Sequence, residues 1–137
     1  MEPRVSYLVG RLDRVVRRRL AGALGPHGLS LQEYTTLSVL RARSGLSNAQ
    51  LARRSLITPQ AMNEVLARLE QRGLVLRHPD RTRGRIRPAE LTVSGKRLLA
   101  RADDSVDAAE RDLFPGADGT RLHKLLVETL RGTDDSQ

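Results

Sequence analysis

Apolar residues recur at spacings of three and four along most of this chain, the period of helices with one buried face. Over residues 5–24, Val5, Leu8, Val9, Leu12, Val15, Val16 and Leu20 form one stripe, with Arg11, Asp13, Arg14, Arg17 and Arg18 opposite. Gly25-Pro26-His27-Gly28 ends that helix, as glycine and proline do. Ser30-Leu31-Gln32-Glu33 opens a second helix with a capping box, in which serine and glutamate satisfy two otherwise orphaned backbone N–H groups. Tyr34, Leu37, Val39 and Leu40 supply its buried side, and it ends near Arg43-Ser44-Gly45. Ser47-Asn48-Ala49-Gln50 repeats the capping box before a short helix with Leu51 and Ala52 inward and Arg53 and Arg54 outward.

After a tight connection at Ser55-Leu56-Ile57, Thr58 caps a fourth helix and Pro59 takes its first position, where a missing N–H costs nothing. Met62, Val65, Leu66 and Leu69 point inward, Gln60, Asn63, Glu64 and Ala67 fall on another, mostly polar face, and Gly73 closes the helix. A short strand is predicted over 74–78, a turn-rich loop from Pro79 to Arg85, and a return strand over 86–91 that contains Pro88 and must therefore lie at an edge. Thr92-Val93-Ser94-Gly95 starts a long helix with Leu98, Leu99, Ala102, Val106, Ala109 and Leu113 inward. Phe114-Pro115-Gly116 breaks it, Asp118 caps a last helix bearing Leu122, Leu125, Leu126 and Leu130, and the tail from Gly132 is polar. The order predicts a mostly α fold with a small β-hairpin wing: a winged helix-turn-helix lobe over about 31–92, within a single domain spanning 1–137.

Charge gives that architecture a purpose. Residues 1–40 carry a net +3 and residues 102–137 a net −5, while residues 41–101 hold fourteen Arg/Lys against four Asp/Glu, a net +10. A basic middle beside an acidic end suggests a polyanion-binding module joined to something else. With two tyrosines, one phenylalanine and no tryptophan, a stacking platform for single strands is not expected. The chain has no cysteine, which excludes disulfides, a thiolate nucleophile and a cysteine redox switch. His27, His78 and His123 fall on three separate elements, so no metal site is expected. No cofactor is expected, and with no Ser/His/Asp arrangement, phosphate-binding glycine loop or His-x-x-x-His pair, no enzyme activity either. Asp103 and Asp104 read as solvated carboxylates on an exposed helix face. The absence of a long apolar run and of a signal-like start predicts a cytoplasmic protein with no membrane partner.

A helix-turn-helix places its second helix in the major groove of duplex DNA, with the first residues of that helix nearest the bases. Those are Thr58, Pro59 and Gln60, then Asn63 and Glu64 one turn on. Gln60 and Asn63 can pair with adenine, Glu64 can accept from cytosine, and Thr58 can meet a thymine methyl or a phosphate. Ser47 at the preceding helix start and Arg68 join this set. Arg41, Arg43, Arg53, Arg54, Arg72 and Arg77 are further candidates for phosphate contacts, which position without reading sequence. In the loop, Arg81, Arg83 and Arg85 are candidates for the adjacent minor groove, with Asp80 able to pair with one of them and hold the loop's shape. Charge alone would equally serve an architectural or nonspecific DNA-binding protein. The polar Gln60/Asn63/Glu64 face argues for a sequence reader, because an acidic residue facing DNA gains a nonspecific binder little.

These residues resemble the MarR family of bacterial transcriptional regulators. The likeness spans roughly 5–131 and is carried by Leu46-Ser47-Asn48-Ala49-Gln50-Leu51-Ala52, Thr58-Pro59-Gln60-Ala61-Met62-Asn63, Leu69-Glu70-Gln71-Arg72-Gly73-Leu74-Val75, His78-Pro79-Asp80-Arg81 and Leu91-Thr92-Val93-Ser94-Gly95. The family's wing usually has an aspartate closely followed by two arginines; here Thr82 and Gly84 space the arginines out. The resemblance implies a homodimeric repressor reading a palindromic operator, with dimerisation helices at about 5–24 and 94–131. It also implies a small-molecule effector, often phenolic, bound between the dimer helices and the DNA-binding lobe. Tyr7, Leu12, His27 and Tyr34, with Arg14, lie on segments that could line such a pocket.

Overall fold

A computed structural model of the chain describes residues 1–78 and 88–133. Six α-helices and a short hairpin follow one another: α1 (Val5–Leu24), a 3-10 turn (Gly25–His27), α2 (Leu31–Ala42), α3 (Asn48–Arg54), α4 (Pro59–Gln71), β1 (Val75–Arg77), β2 (Ala89–Leu91), α5 (Val93–Leu113) and α6 (Gly116–Arg131). The helix starts are chemically determined. Ser30 Oγ accepts from Glu33 N–H at 3.1 Å while Glu33 Oε1 accepts from Ser30 N–H at 2.9 Å. Ser47 and Gln50 repeat the exchange at 3.2 and 2.9 Å. Each such reciprocal cap is worth about 1 kcal/mol.

α4 ends in a two-bond reversal: Leu74 N–H reaches Leu69 C=O at 2.9 Å and Gly73 N–H reaches Glu70 C=O at 3.0 Å. Gly73 has φ +71°, the left-handed conformation this reversal needs and glycine adopts without strain. β1 and β2 pair antiparallel, Val75 opposite Leu91 and Arg77 opposite Ala89. Pro88 stands just before β2 rather than inside it; its carbonyl accepts from His78 N–H at 3.1 Å. Lacking an N–H, proline closes the ladder at that point.

One continuous core runs from Leu20 and Leu24 of α1 through Leu37, Leu40, Leu51, Met62, Leu66 and Leu69 to Leu99, Ala102, Val106 and Ala109 of α5. Two regions stay outside it. The N-terminal half of α1 exposes Val5, Tyr7, Leu8 and Val9, and α6 has no buried residue at all, with Leu125, Leu126 and Leu130 open. α6 also starts earlier than its sequence suggests. Pro115 is its N-cap, and Asp118 lies within the first turn, 3.8 Å from Arg121, without capping the helix. The break at Phe114, with φ −129° and ψ 68°, lets the chain re-enter a helix at once through Gly116.

Candidate nucleic-acid interface

α3 and α4 form the two arms of a helix-turn-helix. Between them Leu56 has φ +61° and is 84% exposed, a strained backbone for a leucine. The turn holds because Ser55 N–H and Ile57 N–H return to Leu51 and Ala52 carbonyls at 2.9 and 3.1 Å. Asn48 Nδ2 donates to Pro59 C=O at 3.3 Å, tying the start of α3 to the start of α4. Thr58 Oγ1 accepts from Ala61 N–H at 3.1 Å, so the threonine is the cap of α4.

From that anchored start, Met62, Val65, Leu66 and Leu69 turn into the core, while Pro59, Gln60, Asn63, Glu64, Ala67 and Arg68 are exposed. The face read from the sequence as DNA-facing is therefore assembled and open. Donors and acceptors of both kinds stand on a helix one major groove wide, and the first-turn N–H groups add positive potential. Ser47 is half-buried; its Oγ acts as the α3 cap, which leaves the hydroxyl proton to donate outward. The hairpin base is fixed, with His78 Nε2 and Glu90 Oε2 2.9 Å apart. Asp80, Arg81, Arg83 and Arg85 lie outside the described residues.

Several arginines considered for phosphate contacts have partners within the fold. Arg72 donates to Gly28 C=O at 2.8 Å and to the buried Glu33 carboxylate at 3.4 Å. Arg77 donates to Asn63 C=O at 3.3 Å and lies 3.9 Å from Glu70. Arg41 donates to Asp103 Oδ2. Arg43, Arg53, Arg54 and Arg68 are exposed and keep the phosphate role open to them.

The four effector candidates meet different surroundings within one chain. Tyr7 lines a cleft between α1 and the end of α5, with Ala108 and Leu113 opposite, and Arg14 shares it. Leu12 lines another, against Phe114, Leu122 and Leu126. His27 shares a 2.8 Å hydrogen bond with Ser105 Oγ, and the Tyr34 hydroxyl donates to Asp103 Oδ1 at 2.6 Å.

Asp103 is thus not the solvated carboxylate its sequence neighbourhood suggested. Both its oxygens are engaged, and its side chain is 24% exposed. Burial works against its charge, but the hydrogen bonds from Arg41 and Tyr34 prevail and hold its carboxyl below the ordinary carboxylate range. Burial, reinforced by the bond to Asp103, pushes the Tyr34 hydroxyl up to about 12. The bond to Asp103 raises Arg41 further still. A signal for the burial of Asp103, though not for its partners, was present: it is four residues after Leu99 and three before Val106, on the buried stripe itself. Glu33 stands likewise four residues before Leu37.

The arrangement has close relatives. The model of the MarR family matches residues 27–86. The HTH-type transcriptional repressor Rv2887 of Mycobacterium tuberculosis is 44% identical over 106 residues, covering 77% of this chain and 76% of that one. A crystal structure of Rv2887 complexed with DNA superposes with a TM-score of 0.77 at 38% identity, over 94% of this chain and 98% of that one. Another, with salicylic acid, gives 0.76 at 40% identity over 94% and 97%. Helix order, capped recognition helix and kinship at this level together make the chain a member of the MarR family of bacterial transcriptional regulators.

Proposed function

We propose that the chain is a sequence-specific double-stranded DNA-binding repressor that works as a homodimer and loosens its grip when a small aromatic acid binds. The observation that carries this is the exposed Gln60/Asn63/Glu64/Arg68 face on a helix whose start is fixed by Thr58. Gln60 and Asn63 address adenine edges, Glu64 a cytosine amino group, and Arg68 with Ser47 the flanking phosphates. Arg81, Arg83 and Arg85, with Asp80, serve the adjacent minor groove. The exposed apolar faces of α1 and α6 support pairing with a second copy, which would set two recognition helices on a two-fold axis. The Rv2887 complexes with DNA and with salicylic acid support both halves of the reading. An effector acts only if it binds the DNA-incompetent arrangement more tightly. Tyr7, Leu12, His27 and Tyr34 remain the candidates to line its site, divided between the two chains of the dimer.

The test is selection of binding sites from a random duplex library by the purified protein, followed by competition with salicylate. A palindrome with half-sites about one helical turn, roughly 10 base pairs, apart is expected. Gln60→Ala should alter the preferred base at one position per half-site rather than weaken all sequences equally. Binding without an enriched motif would instead make this an architectural DNA-binding protein.

A further inference from the structure

α2 and α5 meet at one carboxylate. Tyr34 and Arg41 are seven residues apart on α2, about 10 Å along its axis, and both reach Asp103 of α5, one at each oxygen. Two anchors that reach one carboxylate from different heights on α2 oppose sliding along the helix as well as separation. Half a turn further along α5, Ser105 bonds His27 from the turn that precedes α2. Between the two anchors, Leu37 and Leu40 of α2 belong to the core shared with α3 and α4. Beyond Asp103, α5 leads into α6 and the exposed apolar surface. The carboxylate therefore stands where the part that carries the recognition helix joins the part that carries the unpartnered faces.

We propose that Asp103, through Tyr34 and Arg41, is the positioning residue that sets the separation of the two recognition helices in the assembled dimer. This rests on the dimeric DNA-reading function proposed above. The hydrophobic driving force between α2 and α5 is non-directional, so apolar burial alone specifies their relative position less sharply than charge-assisted hydrogen bonds of fixed geometry do. Substituting Asp103 should widen the range of separations rather than dissolve the fold, since Leu37, Leu40 and Leu99 remain packed.

The absence of native cysteine permits a direct measurement. A spin label on Ala49→Cys, an exposed site on α3, reports one distance between the two lobes of a dimer by pulsed electron resonance. The parent should give a narrow distribution, Asp103→Asn a broadened or displaced one, and Asp104→Asn, an exposed neighbour, the parental one. Unlabelled protein on palindromes of stepped half-site spacing should show Asp103→Asn losing about tenfold at the best spacing and less on either side, so that the profile flattens. Tyr34→Phe removes one anchor and serves if Asp103→Asn does not fold. Unchanged distance distribution and unchanged spacing profile would overturn the inference. No inter-lobe distance and no spacing preference in the parent protein would instead overturn the dimeric reading, and the inference with it.

Discussion

Gly95 offers the sharpest test of how the recognition helix is held. A Cβ at this position would lie 2.2 Å from the Leu74 carbonyl oxygen and 3.1 Å from its carbon. The obstacle is backbone, so no side chain can swing aside, and the start of α5 would have to retreat by roughly 1 Å to reach ordinary contact. That retreat pulls on Thr92, whose N–H donates to Leu74 C=O at 3.1 Å, whose Oγ1 donates to Gly73 C=O at 2.7 Å and accepts from Gly95 N–H at 3.0 Å. Overpacking of this kind costs about 1–3 kcal/mol, and weakening the bonds of Thr92 adds about 1 kcal/mol each. Alanine's better helix propensity returns less than about 1 kcal/mol in a first turn. Gly95→Ala should therefore destabilise by about 3 kcal/mol and lower Tm by roughly 10 °C. Lys96→Ala, exposed in the same turn, should stay within about 0.5 kcal/mol of the parent. Urea and thermal melts followed by far-ultraviolet circular dichroism provide the comparison. If Gly95→Ala melts with the parent, the start of α5 is not seated on Leu74 and the reasoning fails.

Thr58→Ala should cost about 1 kcal/mol through the lost cap and weaken operator binding, with Thr58→Ser restoring both; equal melts and affinities for all three proteins would contradict the capping role. Arg72→Ala should destabilise by about 2 kcal/mol in urea melts, because Gly28 C=O loses its guanidinium partner and the buried Glu33 carboxylate loses its counter-ion; a loss below half that would place Arg72 in solvent. Asp103 is held below its ordinary value in the folded state, so its contribution is fully present above about pH 4 and fades as pH falls through the lower folded value. Urea midpoints of the parent and Asp103→Asn should therefore converge in acid, whereas a constant gap would show that the carboxylate's charge is not what matters.

What was legible in the sequence was local. Ser30 with Glu33, Ser47 with Gln50, and Thr58 before Pro59 each act over three residues, and every one caps the helix it was assigned to. The inward stripe of α4 and its polar face likewise follow from helical period alone. Partnerships between distant segments were not legible. Tyr34 and Asp103 are 69 residues apart, and nothing in the acidic run around Asp103 names a tyrosine and an arginine on α2. Arg41, Arg72 and Arg77 looked like surface cations because composition cannot distinguish a guanidinium awaiting phosphate from one already bonded to a carbonyl or carboxylate. The early start of α6 escaped for a similar reason: Asp118 is the better capping residue by chemistry, yet the turn at Phe114 and Gly116 brings the chain into helix before it. Tyr7 and Leu12 face two different clefts, while His27 and Tyr34 are held by bonds to Ser105 and Asp103 that the sequence does not announce.

α6 has a thermodynamic consequence of its own. It is a sixteen-residue helix without a buried side chain and without a side-chain N-cap. A helix of that length is marginal in water when nothing packs against it. In the proposed dimer its order is therefore lent by the second copy, and helix formation there becomes a matter of mass action. Dilution below the dimer's dissociation constant should strip the ellipticity of one helix while the core around Leu66 and Leu99 persists. The concentration of the protein in the cell would then decide how much of each molecule is folded, as well as how much is bound.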